Sequence, residues 1–228
     1  MTDWFAGEIA ERYDSSTADK PVEPVVDFLE PLAGGGALEL AIGTGRVAVP
    51  LAERGVRVVG VDLSPDMVAQ LRRKTDAIPV AIGDMTTMRV EGTFSLVFLV
   101  FNSINNVTTQ AGQVDVFATA AAHLEPGGCF VVEVGVPNTQ RLEVFDLSDT
   151  HVGVDEYDPA TQRSASHHFS LVDGEWVRLS VPFRSTYPAE LDLMARLAGM
   201  ELRERWADWD RSPFTGESRK HVSVWQKP

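Results

Sequence analysis

The feature that most constrains this chain is a series of five apolar segments, at residues 37–42, 56–61, 79–82, 94–101 and 129–134, with helix-type patterns between them. They are rich in Val, Leu, Ile and Phe and mostly lack polar alternation, as strands buried on both faces must. Strands that alternate with helices in this way build a doubly wound, Rossmann-like α/β fold with a mostly parallel sheet. The punctuation agrees. Gly55 is placed to close the helix after the first strand. Ser64-Pro65 opens the next helix, with Ser64 as N-cap and Pro65 at the first helical position. A helix over 110–124 should end before Pro126-Gly127-Gly128, a turn leading directly into a strand.

Beyond residue 138 the pattern changes. Segments 151–156, 163–172 and 175–185 read as short antiparallel strands, and Asp173-Gly174 is a strong hairpin signal. Residues 188–198 read as helix, and 200–208 and 221–227 as strands. The first 31 residues read as two helices, the second over 22–32. The expected organisation is one domain over 1–228. It has cap helices over 1–32, a parallel-sheet core over 33–137, an antiparallel insertion over about 150–187, and a closing helix and strands over 188–228.

The chain has 228 residues, 44% of them hydrophobic, enough for one substantial core. Its formal net charge of -13 opposes binding to phosphate backbones, so no nucleic-acid partner is expected. No apolar run is long enough to span a bilayer, and Met1-Thr2-Asp3-Trp4 lacks the basic and apolar regions of a secretory leader. Cys129 is the single cysteine, which rules out an intrachain disulfide and a multi-cysteine zinc site. His167 and His168, adjacent in a strand, should point to opposite faces. A cytoplasmic protein with no metal site is the expectation.

The chemistry centres on Leu38-Glu39-Leu40-Ala41-Ile42-Gly43-Thr44-Gly45-Arg46, where a strand passes into a helix. The glycines permit a tight turn and close approach of the backbone to a ligand. Asp62 ends the second strand 19 residues after Gly43, where an acid can accept ribose hydroxyls. Gly43-Thr44-Gly45-Arg46-Val47-Ala48 also fits the dinucleotide fingerprint. Taken alone, the turn does not separate the two ligand classes. Three further features do. Glu39 sits late in its strand, where an acid suits an ammonium and repels a pyrophosphate. Gly83-Asp84-Met85 closes the third strand, where an acid and the next N–H suit an adenine. After the sheet there is only an antiparallel insertion and a short tail, with no second substrate domain.

With these residues in order, the chain resembles the class I S-adenosylmethionine-dependent methyltransferases. Glu39-Leu40-Ala41-Ile42-Gly43-Thr44-Gly45 is similar to their first motif, with Ala41 in place of the commonest first glycine. Gly60-Val61-Asp62-Leu63-Ser64 is similar to the second and Gly83-Asp84-Met85 to the third. Residues 96–101 followed by Asn102-Ser103-Ile104 are similar to the fourth, and Leu124-Glu125-Pro126-Gly127-Gly128 to the usual entry to strand five. The resemblance implies a seven-stranded sheet with an antiparallel last strand, here 221–227. It implies S-adenosylmethionine as cofactor and S-adenosylhomocysteine as product. Asp62 would hold the ribose, Asp84 and Met85 the adenine, and the glycine turn the methionine part. Arg46, Leu63, Met67, Gly83, Phe101 and Asn102 complete the expected cofactor set. The N-terminal Glu11-Arg12-Tyr13-Asp14 and the insertion resemble small-molecule methyltransferases, among them amino-sugar N-methyltransferases. There a tyrosine caps the cofactor beside the reacting methyl, a role carried here to Tyr13.

The acceptor is expected to be a small molecule methylated on N or O. Glu133 interrupts an apolar strand near its carboxyl end and is a candidate to orient or deprotonate it, or else a paired structural acid. Asn106, Trp209 and Phe214 are candidate acceptor contacts, with plain packing the other reading of the two aromatics. The competing functions are an NAD(P)-dependent oxidoreductase and a non-catalytic binder of S-adenosylmethionine.

Overall fold

The computed structural model describes residues 3–138 and 140–228; Met1 and Thr2, read above for a leader, lie outside them. Five strands, β1 (Ala37–Leu40), β2 (Val58–Asp62), β3 (Val80–Ile82), β4 (Phe94–Leu99) and β5 (Leu124–Gly135), form a parallel array. β10 (Glu201–Trp206) and β11 (Lys220–Gln226) complete a seven-stranded sheet in the order β10-β11-β5-β4-β1-β2-β3. β11 runs antiparallel to both of its neighbours.

Alternate residues of these strands feed two cores. Leu38, Val97, Leu99, Phe130 and Val132 pack with Phe117 of α5 (Gln110–His123) and Leu191 and Met194 of α6 (Pro188–Leu197). Ala37, Leu96, Phe98 and Val131 pack with Phe28 of α2 (Glu23–Leu29), Leu51 of α3 (Ala48–Glu53) and Leu71 of α4 (Pro65–Arg72). This burial on both faces is why the strand sequences lack alternation. The helix signals act as read. Gly55 has φ 88° just past α3, and Ser64 caps α4 by accepting the Met67 N–H at 3.3 Å.

Two segments depart from the sequence reading. Pro126-Gly127-Gly128 lies inside β5, where an irregular register between Phe94 and Leu96 absorbs the extra residues. The second sheet has four strands, with β6 (Leu142–Leu147) ahead of β7 (His151–Asp158), β8 (Arg163–Val172) and β9 (Glu175–Arg184). β6 escaped notice because five of its six residues are exposed, leaving no buried face to set a hydrophobic period. The β8–β9 turn is the expected one: Asp173 and Gly174 both take positive φ, 51° and 83°, as a two-residue hairpin turn requires. Among the described residues no helix is long and apolar enough to cross a membrane, and no group of three or more His, Cys, Asp or Glu side chains could hold a metal ion.

Candidate active site

The carboxyl ends of β1, β2, β3 and β4 open into one cavity, the crevice position expected of a doubly wound sheet. Glu39, Ala41, Gly43 and Arg46 line it from the first turn; Asp62, Leu63 and Met67 from the second. Gly83, Asp84 and Met85 line it from the end of β3, and Phe101 and Asn106 from beyond β4. Tyr13 closes it from α1 (Glu8–Ser16).

The local geometry explains these positions. Gly43 has φ 56°, and a side chain there would press on Met67 Cε at 3.1 Å. Its N–H donates to Asp62 Oδ2 at 2.6 Å, while Ser64 N–H donates to Oδ1 at 2.8 Å. Asp62 thus ties the ends of two adjacent strands together. Ala41 also has positive φ, 56°, the conformation a glycine adopts freely. The Cβ of a non-glycine residue costs about 1–2 kcal/mol there. Asp14 accepts the Thr44 hydroxyl at 2.6 Å and pairs with Lys74 at 2.5 Å. The Tyr-Asp pair therefore divides its labour: Asp14 anchors α1 to the glycine turn, and Tyr13 faces the cavity.

The charges are one-sided. Asp3, Glu39, Asp62 and Asp84 line the cavity against the single guanidinium of Arg46. Burial, and then the nearby Asp62 charge, raise the Glu39 pKa well above the ordinary carboxylate range. Its Oε2 is buried and has no hydrogen-bond partner among the described residues. Burial also raises Asp62, against the amide hydrogen bonds that favour its charged form. Arg46 lies 4.2 Å from the centre of the Phe101 ring and donates to the Lys20 carbonyl; its other terminal nitrogen is buried and unpartnered among the described residues.

A raised carboxyl pKa in the folded state means that the folded protein holds a proton the unfolded chain has released. Stability from this source is full below the unfolded-state pKa and falls as pH rises through the folded one. Thermal melts of the ligand-free protein should therefore drop as pH rises above about 4.5, and Glu39→Gln should flatten that dependence. An unchanged slope in the variant would show that Glu39 is not the group responsible.

Some expected contacts lie elsewhere. Gly45 is outside the cavity lining; a side chain at this glycine would meet Leu71 Cδ1 at 2.8 Å, so it serves helix packing. Asn102 faces a second cleft, of about 320 Å3, between the main sheet and the four-stranded one. Trp209 and Phe214 line neither cavity. Trp209 is 7% exposed, with its ring edge-on to Phe28 at 5.3 Å. Phe214 stacks edge-on to His221 at 5.7 Å. Both rings therefore pack within the protein, where their loop folds back over α2 and β11. Glu133 also lines neither cavity.

Trp4 and Phe5, with Asp3, line the first cavity and were missed by the sequence reading. The signal available was an aromatic pair in an otherwise polar N-terminus. The second cleft is lined by Glu143, Asp155 and Glu156 together with Asn102, Asn105, Asn138, Tyr157 and Ser166, and by no Lys or Arg. At its wall Ser166 Oγ lies 3.4 Å from His168 Nε2. His168 Nδ1 lies 3.1 Å from His151 Nε2, and His151 Nδ1 2.7 Å from Asp146. Burial, then the neighbouring His151, lower the His168 pKa. Cross-strand register makes this chain: His168 faces Gly153, whose missing side chain leaves room for the Phe145 ring against His168, and His151 lies on the diagonal.

Comparison with known proteins agrees with this geometry. A family model described as a methyltransferase domain matches residues 37–128. Cypemycin N-terminal methyltransferase of a Streptomyces species is 31% identical over 209 residues, 86% of this chain and 85% of that protein. A dTDP-3-amino-3,6-dideoxy-alpha-D-glucopyranose N,N-dimethyltransferase of Streptomyces fradiae is 33% identical over 138 residues, 57% of this chain and 54% of that protein. The solved CcbJ methyltransferase of Streptomyces caelestis is 38% identical, with a TM-score of 0.86 and 96% of each chain covered. The chain belongs to the S-adenosylmethionine-dependent methyltransferase family.

Proposed function

We propose that this enzyme methylates an amine of a small, hydroxyl-bearing molecule held in the second cleft. The observation that carries the reading is the charge of the two cavities. The first has four carboxylates and one guanidinium, and the second three carboxylates and no cation. Both suit cationic ligands, and neither suits the diphosphate of a nicotinamide cofactor. The names of two relatives, a cypemycin N-terminal methyltransferase and a dTDP-amino-sugar N,N-dimethyltransferase, support an amine as acceptor. The acidic balance of the chain opposes nucleic acid, and a reducing cytoplasm suits the buried thiol of Cys129.

The first cavity fits S-adenosylmethionine. The orphaned oxygen of Glu39 would receive its ammonium, and the unpartnered nitrogen of Arg46 its carboxylate. Asp62 would hold the ribose hydroxyls. Asp84 and the Met85 N–H would hold the adenine, with Leu63, Met67 and Gly83 around it. Tyr13 and Phe101 would present ring faces towards positive charge. The bound cofactor supplies a methyl carbon already activated by its sulfonium.

Alignment then provides much of the rate, and Asn106 and the Phe101-Asn102 turn stand between the two cavities to provide it. An ammonium must lose a proton before its nitrogen can attack. Asp155, Glu143 and Glu156 attract that cation, and the Ser166–His168 pair offers a neutral imidazole to take up the proton.

The test has two arms. S-adenosylhomocysteine should raise the melting temperature by mass action, whereas NAD and NADP should not. Mass spectrometry of a panel of amino sugars and short peptides incubated with S-adenosylmethionine should then find a methylated amine and S-adenosylhomocysteine. Protection by NAD alone would overturn the cofactor assignment. Protection by S-adenosylhomocysteine, with turnover only on hydroxyl acceptors, would overturn the amine assignment.

A further inference from the structure

After β4 the chain makes a turn that ordinary residues avoid. Phe101 and Asn102 both have positive φ, 55° and 59°, and neither is glycine. Left-handed conformations at consecutive non-glycine positions persist only where the surroundings enforce them, and they cluster at functional sites. Here the turn separates the two cavities: Phe101 lines the first and Asn102 the second.

The enforcement comes from contacts with the adjacent strand, centred on one residue. Glu133 of β5 accepts the Phe101 N–H on Oε2 at 3.1 Å. Its backbone carbonyl accepts the Asn102 N–H at 3.3 Å. The Asn102 side chain accepts the Gly135 N–H at 2.6 Å, closing the loop. The other carboxylate oxygen of Glu133 lies 3.5 Å from Lys220 Nζ, which in turn pairs with Asp208 at 2.7 Å. Each oxygen of Glu133 therefore has a partner within the protein, and the side chain reaches neither cavity. A buried acid in a strand otherwise made of Phe130, Val131, Val132 and Val134 needs such partners.

We infer that Glu133 is a positioning residue that holds the Phe101-Asn102 turn in its left-handed form and so sets the alignment of acceptor and cofactor. It acts through the turn, without exchanging a proton with the acceptor. The inference rests on the two-cavity reading above, for which the melting shift and the acceptor panel on the wild-type protein are the separate check.

The experiment compares Glu133→Gln and Glu133→Ala. The readouts are S-adenosylhomocysteine affinity by calorimetry and kcat over a range of pH with the acceptor found for the wild type. A glutamine oxygen still accepts the Phe101 N–H, so Glu133→Gln should lower kcat no more than about threefold and leave the shape of its pH profile intact. Glu133→Ala frees the turn. Its kcat should fall by about ten- to a hundredfold, the scale of a misplaced reacting group, again with the profile unchanged. Cofactor affinity should weaken in the alanine variant only, because Phe101 moves with the turn. Loss of activity in Glu133→Gln together with loss of the acid limb of the profile would make Glu133 a base and overturn the inference. So would wild-type affinity and rate in Glu133→Ala. If the alanine variant does not fold, the glutamine variant and its pH profile decide alone.

Discussion

Replacing Asp62 with asparagine should weaken S-adenosylhomocysteine binding by about ten- to a hundredfold, the worth of one hydrogen bond to a charged group. Asp62 is 8% exposed and takes backbone N–H groups from Gly43 and Ser64 on separate oxygens. Asparagine keeps the shape and one acceptor oxygen, but its amide nitrogen cannot accept the second N–H. The turn should therefore loosen as well, at about 1–3 kcal/mol for the amide left unpaired. Calorimetric titration gives the first effect and denaturant unfolding of the free protein the second. An affinity within twofold of wild type, with the stability loss present, would make Asp62 a structural tie and not a ligand contact.

The second large effect concerns the joint between the two sheets. Arg184, 5% exposed at the end of β9, donates to Gln113 Oε1 at 2.5 Å and to Thr186 Oγ1 at 3.1 Å. Its other terminal nitrogen donates to Gln162 Oε1 at 2.8 Å and Glu190 Oε1 at 2.6 Å. Gln113 of α5 also donates to the Ile104 carbonyl at 3.1 Å, which carries the network to the turn beside the first cavity. Removing one partner of such a buried pair leaves the others uncompensated. Arg184→Ala should cost about 3–5 kcal/mol, a fall of roughly 10 °C in a domain of this size.

Burial works to raise the Glu190 pKa, but hydrogen bonds from Gln162, Arg184 and Gln110 hold it below the ordinary range. A depressed carboxyl pKa stabilises the fold above its unfolded-state value, and that stabilisation disappears as pH falls through the folded-state value. Part of this acid-side dependence should be missing from Arg184→Ala. Thermal melts from pH 7 down to about pH 3 test both statements. Wild-type stability in Arg184→Ala would show that the joint is held by apolar packing alone.

The sequence by itself determined the parallel sheet and most of the lining of the first cavity. β1, β2 and β4 are buried on both faces, so composition alone marks them, and their carboxyl ends must meet at one edge. Glu39, Gly43, Asp62 and Asp84 follow directly, because each lies within a few residues of such an end.

Tertiary structure alone decided what lies above that edge. Asp3, Trp4 and Phe5 reach the cavity through the docking of α1, which depends on Asp14 meeting Thr44 across 30 positions. The Asp146–His151–His168 chain depends on the register of β7 and β8, which alternation in an exposed sheet does not fix. In the sequence Trp209 and Phe214 could equally be pocket or packing residues, because aromatics on a loop serve as either. Their loop instead folds back, and Trp209 gains more by burying its ring against Phe28 than a solvent-facing wall would give it. Glu133 shows the same division. Its position in an apolar strand marked it as unusual, but its role required the Phe101-Asn102 turn, whose left-handed backbone is held by contacts with the neighbouring strand that only the tertiary structure brings together.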